Sequence, residues 1–225
     1  MSGGIRRIVV VGGGTAGWLA ACRIAAAADP LRDAPLSVTL IESPDIATIG
    51  VGEGTWPTMR GTLARIGIDE TTFLRAADAS FKQGSRFDGW VTGAADDSYH
   101  HPFTAPADLP PADLLRDWRQ GSFADHVGAQ PWICADDLAP RQPNMPPYAG
   151  ALNYAYHLDA AKFADLLRRT AVGRLGVTYL RDHVVAVEAA DNGDIAAVIT
   201  RDAGRIVGDL FLDCTGHAAL LIGDH

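Results

Sequence analysis

A glycine-rich turn near the start of the chain constrains its fold more than any other feature. Gly12, Gly14 and Gly17 form a G-x-G-x-x-G pattern between the apolar run IRRIVVV and the alanine-rich segment TAGWLAACRIAAAA. The run is typical of a buried parallel strand, and the segment after it is typical of a helix. Glycines at this spacing let a pyrophosphate approach the backbone, where the helix N-terminus stabilises it. We therefore predict a βαβ nucleotide-binding unit, with a glycine-rich turn of an unrelated α/β fold as the alternative.

The next predicted strand, LSVTLIE, ends on Glu42. Dinucleotide-binding folds place an acid there to accept a hydrogen bond from a ribose hydroxyl. Near the C-terminus the β-type segments GVTYL, HVVAVEA, IAAVITR and RIVGDLFLD follow one another, and the turns DNGD and DAG have hairpin chemistry. A meander that returns to the sheet is the pattern of FAD-dependent oxidoreductases of the glutathione-reductase type, whereas simple NAD dehydrogenases continue with βα units. We predict an α/β, Rossmann-like FAD-binding domain of that type, with an antiparallel β-meander and part of an irregular substrate-domain insertion.

A proline-rich segment interrupts this pattern. Nine of the 13 prolines fall within 92–150, which also contains the pair His100-His101 and one predicted helix near 112–120. Long irregular segments often build ligand pockets, and a loosely ordered surface excursion is the alternative. We expect a discontinuous FAD-binding domain over 1–91 and 151–225 and an insertion that contributes to the substrate region. The two histidines are expected to be a solvated loop pair, and contacts to a halide or substrate are the alternative.

The segment ASFKQGSRFDGW contains Lys82, one of only two lysines in the chain. The residues 80–91 are predicted as one strand, with Phe81 and Phe87 on one face. A lysine amine that is desolvated beside aromatic rings can lose its proton and act as a nucleophile, which an arginine cannot do. Lys82 is therefore a candidate catalytic residue, and a solvated lysine on an edge strand is the alternative.

Two later segments carry helix signals. In DETTFLRAAD, Asp69 is the predicted N-cap, and in LDAAKFADLLRRTAV, Asp159 is the predicted N-cap of an amphipathic helix. The second lysine, Lys162, lies on that helix. We expect it to be a solvated partner of Asp159 or Asp165.

The loop GVGEGTWPTMR places Gly50, Gly52 and Gly54 around Glu53. Alternate glycines allow a backbone to lie flat against a planar ring and to rearrange. A strap over a ring is one interpretation of this loop, and a glycine-rich surface loop is the other.

Charge and cysteine content argue against several classes of protein. A formal net charge of -8 disfavours nucleic acid as the main partner, because phosphate binding needs a basic surface. The three cysteines are widely spaced and form neither a disulfide framework nor a zinc pattern, which suits a reducing cytoplasm. No apolar stretch approaches the roughly 20 residues of a membrane span. We expect a cytoplasmic protein with no metal, nucleic-acid or membrane partner, and leave a homodimer open.

Several stretches, taken in order, resemble the flavin-dependent tryptophan halogenase family. They are GGGTAGWLAA, GVGEGTWPTMR, ASFKQGSRFDGW, YAYHLDAAKFADLLRR and DLFLDCTGHAALLI, and they span nearly the whole chain. The resemblance is strongest with the bacterial branch that carries GEGTWP, whose members need not act on free tryptophan.

The resemblance implies a role for each matching position. The FAD pyrophosphate would be held by a set of five residues: Gly12, Gly14, Thr15, Ala16 and Gly17. Glu42 would bind the ribose, and the backbone of Val184 would meet the adenine. The flexible strap over the flavin would consist of Gly52, Glu53, Gly54 and Thr55. Lys82 would be the catalytic lysine.

The resemblance also implies a reaction. A separate flavin reductase would deliver FADH2, which reacts with O2 to give a flavin hydroperoxide, and chloride or bromide would attack its distal oxygen. The hypohalous acid would travel to an enclosed pocket that holds an aromatic, tryptophan- or indole-like substrate. There Lys82 would either hydrogen-bond to the acid as an ammonium or form a haloamine as a neutral amine.

The chain departs from the family pattern in two respects. The W-x-W-x-I-P signature and the carboxylate of the second half, which assists the lysine, do not occur in these 225 residues. We therefore expect an N-terminal fragment of a longer enzyme, with little activity by itself. Two other interpretations stay open, a flavin monooxygenase that inserts oxygen without halide and a non-catalytic nucleotide-binding remnant.

Overall fold

The computed structural model describes residues 4–28, 36–46, 52–106, 110–116, 118 and 121–223. These residues form two compact units. The first comprises the described parts of Met1–Gly52, Thr62–Asp78 and Asp159–His225, and the second comprises Glu53–Gly61 and the described parts of Ala79–Leu158. The predicted domain division at residues 91 and 151 stays a prediction.

The helices in chain order are α1 Thr15–Ala26, α2 Thr58–Ile66, α3 Glu70–Ala76, α4 Pro111–Arg116, α5 Phe123–Val127, α6 Gln130–Ala135 and α7 Ala160–Arg174, with a 3-10 turn at Gly216–Ala218. The strands are β1 Arg7–Val11, β2 Ser37–Glu42, β3 Gly52–Gly54, β4 Ser80–Lys82, β5 Gly84–Asp88, β6 Ser98–Pro102, β7 Ala155–Asp159, β8 Thr178–Arg181, β9 Val184–Ala189, β10 Ile195–Thr200, β11 Gly204–Val207 and β12 Leu210–Asp213. Within the described ranges, no helix combines the length and apolar character needed to cross a bilayer.

The first unit is built on a parallel sheet with the strand order β12-β1-β2-β8. The inner strands β1 and β2 are β-branched runs whose Val9, Val10 and Leu40 are buried, as expected for strands covered on both faces. Because β1 pairs in parallel with both β2 and β12, the carboxyl ends of these three strands meet at one edge. The predicted Rossmann-like α/β fold is confirmed.

Two helices of the first unit begin at the predicted caps. The Asp159 carboxylate accepts a hydrogen bond from the backbone N–H of Lys162 at 2.9 Å, and Asp69 does the same for Thr72 at 2.9 Å. Helix α7 packs against α1 and α3, and its Phe163 meets Phe73 edge to face at 5.4 Å between ring centroids. The predicted N-caps are therefore confirmed.

The predicted partner of Lys162 is wrong. Its ammonium pairs with the carboxylate of Asp78, which raises the pKa of Lys162, while the Asp159 side chain caps the helix instead. Asp165 is engaged by Arg168 and Arg169 one turn further along. Helix spacing alone offered Asp159 and Asp165, but the actual partner lies 84 positions away in the sequence.

The meander consists of the antiparallel strands β9, β10 and β11, as predicted. Val198 of β10 belongs to a buried apolar cluster with Val9, Val11, Ile41 and Leu221, so the meander shares the core of the first unit. Asp182, just before β9, ties the meander together. Its carboxylate accepts hydrogen bonds from the backbone N–H groups of a three-residue set: His183, Asp202 and Ala203.

The second unit contains a three-stranded sheet of order β3-β7-β4 and a separate β5-β6 hairpin. The predicted single strand over 80–91 is therefore two strands in different sheets. Gly84 begins the second strand at φ +157, and a Cβ there would meet the His101 carbonyl oxygen at 2.5 Å. Phe81 consequently packs against Tyr154, whereas Phe87 stacks on Tyr99.

The proline-rich insertion is more ordered than predicted. It contains strand β6 and the three short helices α4, α5 and α6, where one helix near 112–120 was expected. The pair His100-His101 lies on β6, opposite Arg86 and Ser85, and is not a loop pair.

The hydrogen bonds to Asp182 predict an acid-sensitive contribution to stability. The backbone N–H of Ala203 is the largest cause that lowers the pKa of Asp182 from 3.8 to about 2, so the charged form is favoured in the folded protein. The stabilisation should be complete above the ordinary pKa of 3.8 and be lost as the pH falls through about 2. Asp182→Asn should lower the Tm near neutral pH, with a smaller difference from wild type at acid pH. Asp202→Asn, which alters an exposed side chain, is the matched control; equal losses in both variants would contradict this assignment.

Candidate functional site

The glycine turn after β1 leaves no room for side chains at two of its predicted positions. Gly12 has φ +117, and a Cβ there would overlap the Cys214 carbonyl group. A Cβ at Gly17 would overlap the Gly12 carbonyl oxygen. At Gly14, by contrast, no described atom lies within 4 Å of the Cβ position, so the backbone is open to an approaching group. Gly12 and Gly17 allow the close backbone contacts within the turn, and Gly14 leaves the start of the helix accessible.

Helix α1 begins directly at this open position. Gly14 is the N-cap and contributes no side-chain hydrogen bond, and Thr15 and Ala16 start the first turn. The Thr15 hydroxyl lies 3.4 Å from the Ala160 carbonyl oxygen, to which it donates. Backbone N–H groups in the first turn of a helix have no intrahelical partner and carry a partial positive charge. The five predicted pyrophosphate residues thus lie together around a helix N-terminus that suits an anion.

Glu42 lies beside the same turn. A Cβ at Gly13 would overlap the Glu42 side chain, and Glu42 borders a cavity of about 550 Å³. Trp18 and Tyr179 form a tilted ring pair in its wall, 5.2 Å between centroids. The structure therefore places the predicted ribose acid at a cavity next to the glycine turn.

Tyr179 also belongs to this site, although no pattern in the sequence indicates it. Its hydroxyl donates a 2.7 Å hydrogen bond to Oε2 of Glu42. Burial, followed by that hydrogen bond and the charge of Glu42, raises the pKa of Tyr179 to about 12. The phenol therefore stays protonated at neutral pH. The two residues are 137 positions apart, so no local pattern could reveal the contact.

Val184 begins β9 and pairs with Thr200, beside an irregularity in the register. Its half-buried side chain packs against the apolar cluster that includes Val9 and Val198. Contact of its backbone with an adenine stays a prediction.

The turn after β12 is held by Asp213. Its carboxylate accepts hydrogen bonds from the backbone N–H groups of Thr215, Leu221 and Ile222 and from the Thr215 hydroxyl. Burial alone would raise the pKa of Asp213, but these hydrogen bonds outweigh it and the pKa is lowered. A charged Asp213 therefore fixes the turn that carries the Cys214 carbonyl group against Gly12.

The predicted strap residues lie along strand β7, and all of them except Gly52 belong to the second unit. Thr55 is buried, and its backbone N–H donates to the Tyr156 carbonyl oxygen at 2.8 Å. The Tyr156 N–H in turn donates to the Thr55 hydroxyl at 3.0 Å. Gly52, Glu53 and Gly54 form the short strand before this anchor. The C-terminal end of the strap is thus tied to the sheet by Thr55.

Lys82 lies on β4 between two aromatic rings that were not predicted to contact it. Its Nζ is 5.7 Å from the ring centroid of Trp56 and 5.6 Å from that of Phe103. These distances allow attraction between the cation and the ring faces. Phe81 lies on the opposite face of β4 and packs against Tyr154. Phe87 lies on β5, which Gln83 separates from β4, and it stacks on Tyr99.

His157 shares the face of Lys82. In the antiparallel β4-β7 pair, Ser80 lies opposite His157 and Lys82 opposite Ala155, which makes Lys82 and His157 diagonal neighbours. A Cβ at Gly54 would lie 3.0 Å from the Lys82 Nζ and 3.5 Å from the His157 Nδ1. Burial and then the charge of Lys82 lower the pKa of His157. Glycine at 54 thus leaves the space in which the two side chains approach each other.

These two side chains border a cavity of about 580 Å³ within the second unit. Its wall also includes Arg86, His100 and His101 from the β5-β6 hairpin. Arg86 is paired with Asp88 at 2.8 Å. In the described ranges, no group of three or more His, Cys, Asp or Glu side chains could hold a metal ion. The arrangement offers an ammonium group at the wall of a cavity large enough for a small aromatic molecule.

Comparison with known proteins covers almost the whole chain. A profile of the family described as tryptophan halogenase matches residues 7–225. Tryptophan 7-halogenase RebH of Lentzea aerocolonigenes is 34% identical over 240 residues, covering 99% of this chain and 44% of the relative. Tryptophan 6-halogenase ThaL of Streptomyces albogriseolus is 35% identical over 246 residues, again covering 99% and 44%. The chain therefore spans about 44% of the length of these curated relatives.

Solved structures agree with this relationship. A tryptophan halogenase from Shewanella frigidimarina is 49% identical with a TM-score of 0.90, covering 98% of this chain and 44% of its own. BrvH, a flavin-dependent halogenase from Brevundimonas sp., is 31% identical with a TM-score of 0.78, covering 98% and 44%. The predicted fold class and the resemblance noted in the sequence are confirmed: the chain belongs to the tryptophan halogenase family.

Proposed function

We propose that this chain is the FAD-binding part of a flavin-dependent halogenase that acts on an aromatic, indole-like substrate. The observation that carries the proposal is the placement of Lys82 between two aromatic rings at the wall of a cavity, in a chain of this family. A lysine there can deliver an electrophile to a ring held in the cavity. Strand β4 is an edge strand of its sheet, but the Lys82 side chain is half-buried and lies near these rings, unlike a fully solvated lysine.

The residues of the first unit fit FAD. The open Gly14 and the first turn of α1 suit a pyrophosphate, since they combine free approach with unpaired N–H groups. Glu42 would accept hydrogen bonds from the ribose, and the backbone of Val184 would meet the adenine. The strap from Gly52 to Thr55 would cover the isoalloxazine ring. When bound in reduced form, FAD would supply the two electrons that reduce O2 to the peroxide level, and oxygen at that level can oxidise chloride or bromide to hypohalous acid.

The partners of the whole protein follow from this chemistry. Reduced FAD would come from a separate flavin reductase, and halide, O2 and an aromatic small molecule would be the substrates. Lys82 and His157 both border the cavity of the second unit, where the aromatic molecule would lie.

Lys82 would direct the hypohalous acid in one of two ways. As an ammonium it would donate a hydrogen bond to the acid and polarise it. As a neutral amine it would take the halogen, forming an N–halogen bond and releasing water. In both cases the rings of Trp56 and Phe103 would shield the amine from solvent. His157, which lies near Gly54 as Lys82 does, is close enough for the charge of Lys82 to lower its pKa.

Replacing Lys82 tests the proposed role of its amine. In the whole protein, Lys82→Ala should reduce halogenation by about 100-fold or more, the scale of a lost proton-transfer or hydrogen-bonding group. The Kd for FAD should not change, because Lys82 is not among the nucleotide-site residues. Product formation with bromide is measured by mass spectrometry and FAD binding by fluorescence titration. Lys162→Ala, which removes the other lysine, is the control; a wild-type rate in Lys82→Ala would disprove the assignment.

Two glycine variants separate binding from folding in the turn. Gly14→Ala should fold normally, since Gly14 has φ -73 and an open Cβ position, but should raise the Kd for FAD by about tenfold or more. Gly12→Ala should destabilise the fold by about 1 to 3 kcal/mol from backbone strain alone. Thermal unfolding and FAD titration of both variants provide the comparison. Unchanged FAD affinity in Gly14→Ala would show that no pyrophosphate lies at this turn.

A further inference from the structure

The register of the parallel sheet places Tyr179 on the same face as Glu42. Strand β8 pairs with β2 so that Tyr179 lies opposite Leu40, two residues before Glu42. Side chains two apart on a strand share a face. A tyrosine is long enough to reach a diagonal neighbour, so the sheet itself brings its hydroxyl to the carboxylate.

Packing holds the phenol ring and leaves its hydroxyl directed at the acid. The ring lies 5.2 Å from the Trp18 ring at an interplanar angle of 59°, and Trp18 is 1% exposed. The hydroxyl lies 2.7 Å from Oε2 of Glu42. Contact with Trp18 restricts the ring of Tyr179. The hydrogen bond from that ring's hydroxyl then restricts the position of the Glu42 carboxylate.

The carboxylate is held over the glycine turn by this contact. A Cβ at Gly13 would lie 2.5 Å from Oε1 of Glu42. Oε2 accepts from Tyr179, so Oε1 is the oxygen nearest to the turn. A ligand whose pyrophosphate lies at the turn and whose adenosine enters the adjacent cavity would pass this oxygen.

The hydrogen-bond partner of Glu42 is the neutral phenol of Tyr179, although two arginines border the same cavity. Arg168 is paired with Asp165 at 2.5 Å, and Arg181 donates to the Pro44 carbonyl oxygen at 3.4 Å. A guanidinium on Glu42 would neutralise the carboxylate, whereas a phenol orients it and leaves its negative charge. Hydrogen bonds to an ionised acceptor are roughly twice as strong as neutral ones, so the charge benefits a diol that donates to it.

We propose that Tyr179 is a positioning residue for the adenosine half of the nucleotide: its hydroxyl holds the Glu42 carboxylate where the vicinal ribose hydroxyls donate to it. This inference rests on the proposed nucleotide site. Tyr179 acts on the ligand through Glu42 and takes no part in halogen transfer.

The proposal is tested by measuring the Kd of the Tyr179→Phe variant for FAD, ADP and FMN. Tyr179→Phe keeps the ring against Trp18 and removes only the donor. In the whole protein, Tyr179→Phe should raise the Kd for FAD and for ADP about tenfold, the effect of losing one hydrogen bond to a charged group. The Kd for FMN, which lacks adenosine, should stay at the wild-type value. Tyr99→Phe, which removes a hydroxyl in the other unit, should change none of the three.

A double variant shows whether Tyr179 acts through Glu42. Glu42→Gln alone should weaken FAD and ADP, and Tyr179→Phe with Glu42→Gln should weaken them no more than Glu42→Gln does. Additive losses, an unchanged Kd in Tyr179→Phe, or an equal loss for FMN would each overturn the positioning role. Wild-type protein that binds ADP but not FAD would refute the proposed function while still testing Tyr179 through ADP. Wild-type protein that binds neither would overturn both.

Discussion

The parallel pairing of β1 with β2 on one side and β12 on the other is the constraint on which the proposed nucleotide site depends. It brings Gly12, Glu42 and Cys214 to one edge of the sheet, where the Gly12 N–H donates to the Ile41 carbonyl oxygen at 2.9 Å and the Cys214 N–H to that of Val11 at 2.7 Å. The Cys214 carbonyl group occupies the space that a side chain at residue 12 would need. Glycine is thus required by the neighbouring strand as much as by a ligand. Crevices at the carboxyl ends of parallel strands are where such folds bind nucleotides.

In the second unit, a three-stranded sheet brings the residues around Lys82 together. Strand β7 lies between β3 and β4, so that Gly54, His157 and Lys82 come from three different strands of one sheet. Cross-strand neighbours on one face are close enough to influence each other electrostatically. The pKa of His157 is lowered first by burial and then by the charge of Lys82. Aromatic rings from Trp56 and Phe103 complete the surroundings of the lysine. Each unit therefore has its own candidate site, the glycine turn beside Glu42 in the first and the cavity bordered by Lys82 in the second.

Local patterns were sufficient to predict much of this arrangement. The glycine turn, the helix caps and the hairpin turns each depend on a few adjacent residues, and the structure contains them where they were predicted. Contacts between distant residues were not predictable in this way. The rings around Lys82, the Asp78 partner of Lys162 and the hydroxyl of Tyr179 on Glu42 all join segments that only the folded chain brings together. The strand predicted over 80–91 is divided for a similar reason, since its two parts pair with different distant strands, β4 with β7 and β5 with β6.

Mass spectrometry of the products made by the whole protein tests the central claim most directly. The reaction would contain FAD, a flavin reductase, O2 and an indole compound such as tryptophan, with bromide, with chloride or with neither. The account predicts a product in which one aromatic hydrogen is replaced by the halogen supplied, and no such product without halide. A product that gains oxygen regardless of halide would contradict it and would identify a monooxygenase instead.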